Sequence, residues 1–142
     1  LHAYGALGID TELRDFFDDM PRRIMKSHLV ISRSGATTIS EMAVIGSPSL
    51  LVPLPQSIDQ DQKTNALQLS NHEAAWVVDQ KNLTPTKLAE MIGEFMENPL
   101  KLETAARAAK TRAIPKATEN LVTFVETYAG YTNGIKISGD AA

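Results

Sequence analysis

The sequence predicts an α/β domain built on a parallel sheet, and three observations carry that expectation. Three short apolar runs, His28–Ser32, Ser49–Pro53 and Ala74–Val78, are bounded by turn residues and contain β-branched side chains, as buried strands do. Segments with helical apolar spacing separate them and follow them, which is the order of strand–helix–strand crossovers. The runs are apolar throughout rather than alternating, which suits a sheet covered on both faces.

The elements follow in chain order. His2 to Gly8 reads as the end of an element, and Thr11–Phe17 as a short strand. Asp18-Asp19 opens a helix that tolerates Pro21 in its first turn and runs to Lys26. After the strand at His28–Ser32, Arg33 to Ala36 is a turn. Thr38-Ile39-Ser40-Glu41 has capping-box spacing, and Gly46 stops the helix after Ile45. The strand at Ser49–Pro53 leads into a polar loop, Leu54 to Asp59, and a helix over Gln60–Ser70. After the strand at Ala74–Val78, Thr84-Pro85 opens a helix to Glu97 whose Leu88, Met91, Ile92, Phe95 and Met96 form a core stripe. Asn98-Pro99 repeats the start device for an Ala-rich helix to Arg112. Ile114-Pro115 breaks it, and a last helix covers Ala117–Ala129 up to Gly130. Residues 130–142 read as a loose tail.

Composition narrows the function classes. With 142 residues the chain is about one domain long, and 43% hydrophobic content is too apolar for disorder. No run approaches the roughly 18 apolar residues of a membrane span. There are no cysteines, which excludes disulfides, thiolate metal sites and cysteine nucleophiles. A net charge of −3 argues against nucleic acid as a partner. Arg22, Arg23 and Lys26 read as a solvated helix face rather than a lipid patch. Leu1, not Met, opens the chain and no leader follows, so the expectation is a piece of something longer.

Ligands of open α/β sheets bind beyond the carboxyl ends of the strands. Two loops leave such ends, and they share one crevice if the strands are neighbours. The first, Arg33 to Thr38, joins Gly35 and hydroxyl side chains to a helix N-terminus, which suits a phosphate; hydroxyls at a helix start also serve simply as caps. Glu41 has two competing readings, the far member of the capping box or an acceptor for a ribose diol. The second loop carries Gln56, Asp59, Gln60, Asp61, Gln62 and Asn65, and amides that both donate and accept suit sugar hydroxyls; an ordinary polar loop has the same composition. His2, His28 and His72 lack metal-ligand spacing, and Asp59 with Asp61 is too common a pairing to mark a metal. Ser34 lacks the G-x-S-x-G setting of a nucleophile, and there is neither a Walker A lysine loop nor a G-x-G-x-x-G.

Taken in order, the segment from His28 to Glu41, then Gly46-Ser47-Pro48, Leu51 to Pro55 and Asp61 to Ala66 resembles the carboxyl-terminal domain of the MurG-like UDP-N-acetylglucosamine transferases, glycosyltransferase family 28. Phe16 to Asp19, Ala74 to Val78 and Ile114-Pro115 match in the same order. The resemblance implies the parallel-sheet, Rossmann-like half of a GT-B glycosyltransferase, incomplete at its amino terminus, with residues 1–129 as part of the UDP-sugar-binding domain. It implies that Ser34, Gly35, Ala36, Thr37 and Thr38 hold the nucleotide's phosphates and sugar. It makes Glu41 the ribose acid, and Gln62 and Asn65 the contacts to N-acetylglucosamine hydroxyls. Arg33 matches a family arginine and Asp61 stands where relatives carry Gln or His; both are secondary candidates.

The implied activity is inverting transfer of N-acetylglucosamine from UDP-N-acetylglucosamine to lipid-linked N-acetylmuramoyl-pentapeptide, converting lipid I to lipid II in peptidoglycan synthesis. No metal or other cofactor is needed on that scheme. The acceptor and the base belong to the family's amino-terminal half, so no catalytic residue is expected in this chain and the chain alone is expected to be inactive. The implied location is the cytoplasmic face of the bacterial inner membrane, held peripherally. Two alternatives stand beside it: a non-catalytic nucleotide-sugar-binding module acting in trans with a separate acceptor-binding chain, and an inactive fragment whose incomplete sheet self-associates.

Overall fold

Each apolar run contributes one strand: β1 (Val30–Ser32), β2 (Ser49–Leu51) and β3 (Ala75–Val77). They lie in the order β1-β2-β3 and both pairings are parallel, with Val30 opposite Ser49 and Ser49 opposite Ala75. Bonds from Val52 N–H to Ser32 O (2.9 Å) and from Val78 N–H to Leu51 O (3.0 Å) carry the ladder one residue past the strands. The computed structural model describes residues 2–57, 60–129, 131–132 and 135–136. Its helices are α1 (His2–Ala6), α2 (Met20–Lys26), α3 (Ala36–Ile45), α4 (Asp61–Ser70), α5 (Pro85–Glu97), α6 (Pro99–Thr111) and α7 (Ala117–Tyr128), with a 3-10 turn at Gln80–Asn82.

Strand alternation divides the sheet between two layers. Leu51, Ala75 and Val77 face a core with Ile39, Met42 and Ala43 of α3, Ala66 and Leu69 of α4, Ile24 of α2 and Ala109 of α6. Ile31, Leu50 and Trp76 share a register row on the other face, where the Trp76 ring packs 4.3 Å from that of Phe95 on α5. β2 is buried at all three positions, as a central strand should be. Ile31, on the outer strand, is 44% exposed.

Several starts and stops follow the sequence. The Thr84 hydroxyl accepts the Lys87 N–H (3.1 Å), and Pro85 fills the first helical position. Gly46 ends α3 in the left-handed region (φ 74°), and its N–H returns to Met42 O (2.9 Å).

Other expectations need correction. Thr11–Phe17 is not a strand; a strand needs a neighbouring ladder, and this segment finds none among the described residues. It is pinned to α2 instead by Arg23, which bonds Glu12 and Asp19 (both 2.6 Å) and lies 4.0 Å over the Phe17 ring, so Arg23 is not a freely solvated charge. The capping box does not form, because α3 starts at Ala36 and Thr38 is already inside it. Asn98 makes no side-chain cap bond on α6. In the α5 stripe Phe95 is buried, but Met96 is 77% exposed and lines an apolar groove with His28 and Leu29. On α7, Leu121, Val122, Phe124, Val125 and Tyr128 are all exposed. Within the expected tail, Tyr131–Thr132 (β4) and Ile135–Lys136 (β5) pair antiparallel, and its other residues lie outside the described set.

Two outcomes follow from this packing. Gly46→Ala puts a side chain on a left-handed backbone and drives its Cβ into the Lys110 side chain; denaturant titration should show a loss of about 1–2 kcal/mol, with Gly46→Asn losing less. Glu12 and Asp19 are both held below the ordinary carboxylate range, in each case first by the hydrogen bond from Arg23. With the folded pKa values depressed, the contact is intact at neutral pH and is lost as pH falls below the ordinary carboxylate range. NMR should show the Arg23 Nε–H and Phe17 ring resonances moving together on acidification and holding steady around neutrality.

Candidate functional site

Parallel pairing brings the carboxyl ends of β1, β2 and β3 side by side, so three loops leave one edge of the sheet. The first is Arg33 to Gly35. Gly35 is the N-cap of α3 with extended backbone (φ −63°, ψ 153°) and supplies no side-chain acceptor. The first-turn N–H groups of Ala36, Thr37 and Thr38 therefore have no capping partner among the described residues. Any residue could adopt that backbone, and a Cβ at Gly35 would meet only Thr38 Oγ1, at 3.9 Å. The chain itself does not require glycine there; what glycine leaves open is space in front of unpaired N–H groups.

Helical geometry sorts the residues behind this turn. Ile39, Met42 and Ala43 face the core. Thr37 and Thr38 lie four and three positions before Glu41 and share the opposite face with it. With the capping box excluded, Glu41 has no hydrogen bond or ion pair among the described residues, and the residue is half-buried one turn behind the bare helix end.

The second loop is stitched to the first. Ser34 is fully buried; its Oγ donates to Gln62 O (2.7 Å), and its carbonyl accepts from Asn65 Nδ2 (3.2 Å). Gln62 Oε1 accepts the Leu54 N–H (3.0 Å), leaving the Nε2 end of that amide unengaged among the described residues. Asp61 Oδ1 accepts the Gln62 N–H (2.7 Å), as a helix-start acid does. Gln60 enters α4 in the left-handed region (φ 54°), a strained conformation for a residue with a side chain. Asp59 lies outside the described residues.

The structure thus brings Ser34, Gly35, Ala36, Thr37, Thr38, Glu41, Gln62 and Asn65 to one edge of the sheet but divides their work. The Ser34 hydroxyl and one N–H of Asn65 hold the loops together. The α3 amides, the Thr37 and Thr38 hydroxyls, Glu41 and Gln62 Nε2 remain unengaged among the described residues. Arg33 extends over the ends of β2 and β3, where Nη1 donates to Val52 O (3.1 Å) and Pro53 O (3.3 Å) and Nη2 to Gln80 Oε1 (2.7 Å). Gln80 belongs to the third loop, which also leaves a strand end; with Lys63 and Asp79 it borders a cavity of about 300 Å³ beside Pro53. Sequence reasoning missed this loop, although the strand-end rule applied to β3 would have included it. An unpaired anion-ready helix end, a free carboxylate and an oriented amide can together bind a group combining phosphate with vicinal hydroxyls.

Comparisons with known proteins bear on the family and the fold. Residues 2–121 match the family model described as Glycosyltransferase family 28 C-terminal domain. The chain is 45% identical over 127 residues to the UDP-N-acetylglucosamine--N-acetylmuramyl-(pentapeptide) pyrophosphoryl-undecaprenol N-acetylglucosamine transferase of Brucella canis, covering 89% of this chain and 34% of that protein. The protein of the same name from Mesorhizobium japonicum is 46% identical over 127 residues, with coverage of 89% and 34%. The chain spans about a third of the length of these curated relatives. Among solved structures it superposes on Acinetobacter baumannii MurG with a TM-score of 0.80 and 30% identity, covering 89% of this chain and 40% of that one. It superposes on the glycosyltransferase VinC, solved with dTDP, with a TM-score of 0.60 over 88% of this chain and 33% of that one; at 20% identity that likeness concerns the fold alone. The parallel sheet and its helices are those of a GT-B glycosyltransferase domain.

The stitching makes a direct prediction. Ser34→Ala leaves the Gln62 carbonyl without its buried hydroxyl donor and should lower stability by about 1–2 kcal/mol in urea titration.

Proposed function

The chain belongs to the glycosyltransferase family 28 C-terminal domain family, and from that premise we propose that it is the donor-binding part of an inverting transferase. It takes N-acetylglucosamine from UDP-N-acetylglucosamine and delivers it to undecaprenyl-diphospho-N-acetylmuramoyl-pentapeptide, the step that completes the disaccharide of peptidoglycan precursor. The observation that carries this reading is that, among the described residues, the N-terminus of α3 is bare and Glu41, on the same helix one turn behind it, has no partner.

The residues divide the donor between them. The Ala36, Thr37 and Thr38 amides, reached across Gly35, meet the diphosphate, with Thr37 and Thr38 hydroxyls beside them. Glu41 accepts hydrogen bonds from the ribose diol. Gln62 Nε2 and the free polar atoms of Asn65 meet hydroxyls of N-acetylglucosamine. Asp61 shapes the start of α4.

In the reaction, the acceptor's C4 hydroxyl oxygen bonds to the anomeric carbon as the bond to the diphosphate oxygen breaks. Negative charge grows on the departing UDP. N–H dipoles already aimed at that position stabilise the charge without reorganising, so they act more strongly on the transition state than on the bound donor. Acceptor binding and proton removal fall to residues outside this chain. The work is placed at the cytoplasmic face of the membrane, where a lipid-linked acceptor is presented; among the described residues no helix is long and apolar enough to cross it.

Titration calorimetry on the protein tests the reading. UDP should bind. Gly35→Ala should weaken it without lowering thermal stability, since its Cβ meets no crowding within the chain. Glu41→Ala should weaken UDP by about 10- to 100-fold, the loss of charge-assisted hydrogen bonds, yet leave 2′,3′-dideoxy-UDP nearly unaffected. Equal losses for both nucleotides would remove Glu41 from the ribose, and failure of the unsubstituted protein to bind UDP would overturn the proposal.

A further inference from the structure

Arg33 stands one residue before the phosphate-ready turn, where a cation would ordinarily be assigned to the diphosphate. Its guanidinium is otherwise engaged: two bonds go to the Val52 and Pro53 carbonyls and a third to Gln80 Oε1. The Pro53 carbonyl and the Leu54 N–H belong to one planar peptide unit, so fixing the first fixes the direction of the second. That N–H is the donor that holds Gln62 Oε1 at 3.0 Å. An amide whose oxygen is held this way presents its Nε2 donors at the free end.

We propose that Arg33 is a positioning residue that orients the sugar-recognising amide of Gln62 through the Pro53–Leu54 peptide, and is not a ligand of the diphosphate. The inference rests on the donor-site reading for the role of Gln62, and makes Arg33 and Gln80 determinants of sugar recognition. It gives the third loop a part in that recognition, since Gln80 anchors the far prong of the fork.

Lysine separates the two roles of the arginine. A diphosphate contact needs a charge, which lysine keeps; a three-point fork over carbonyls and an amide needs the guanidinium plane, which lysine lacks. With Arg33→Lys in the full protein, hydrogen exchange at the Leu54 amide should quicken by about tenfold or more and the Gln62 side-chain NH₂ resonances should shift, both without ligand. By calorimetry, affinity for UDP-N-acetylglucosamine should fall about tenfold while UDP stays within about twofold. Gln80→Ala keeps both carbonyl bonds and should move the same readouts less, in the same direction; it carries the test if the arginine variant folds poorly. Unchanged Leu54 exchange in both variants would overturn the inference. So would equal weakening of UDP and UDP-N-acetylglucosamine by Arg33→Met with recovery in Arg33→Lys, the mark of a direct diphosphate contact. Should the unsubstituted protein bind neither nucleotide, the donor-site reading falls, and the ligand-free exchange and resonance measurements still decide whether Arg33 sets the Gln62 amide.

Discussion

The site depends on one buried residue, Ser34. Its hydroxyl and carbonyl both bond to the first turn or so of α4, so the loop after β1 and the helix after β2 are set at a fixed spacing before any ligand arrives. A fully buried hydroxyl without a partner is costly, and here the partner lies 28 residues along the chain. That bond converts the adjacency of two parallel strands into a defined edge. On the proposed donor-binding role, fixing the groups in advance lets N–H dipoles act on developing charge, because a loop that had to rearrange would give up much of that effect.

Part of this was legible in the sequence because the signals were local. The apolar runs at residues 28–32, 49–53 and 74–78 announce strands whatever lies around them, and Thr84-Pro85 starts α5 by the bond its hydroxyl makes. The position of Glu41 misled for the same reason. Ser/Thr-x-x-Glu spacing is a local pattern, but the extended backbone at Gly35 starts the helix three residues before Thr38 would have capped it, which frees the carboxylate. The ribose reading of Glu41 stood beside the cap in the sequence, the ordered family resemblance favoured it, and the structure removes the competing cap.

What the sequence did not disclose is non-local. Gln80 is one glutamine in a polar stretch, and its importance appears only when Arg33 reaches it from 47 residues away. The short mixed segment Thr11–Phe17, ending in Phe16-Phe17, suggested a strand, yet pairing requires a ladder, and Arg23 gathers Glu12, Asp19 and Phe17 instead. Helical periodicity in α5 and α7 gives the faces of these helices but not what covers them. Phe95 meets Trp76, whereas Met96 and Phe124 stay exposed.

The Trp76–Phe95 contact has a practical consequence. Trp76 is the single tryptophan in 142 residues, and its indole lies on the sheet face opposite the α3 layer, against α5. Its fluorescence therefore reports the seating of one helix rather than an average over the molecule. Separation of α5 from the sheet would register as a change in emission even while the α3–α4 layer stayed intact, giving a spectroscopic probe of one layer that requires no added label.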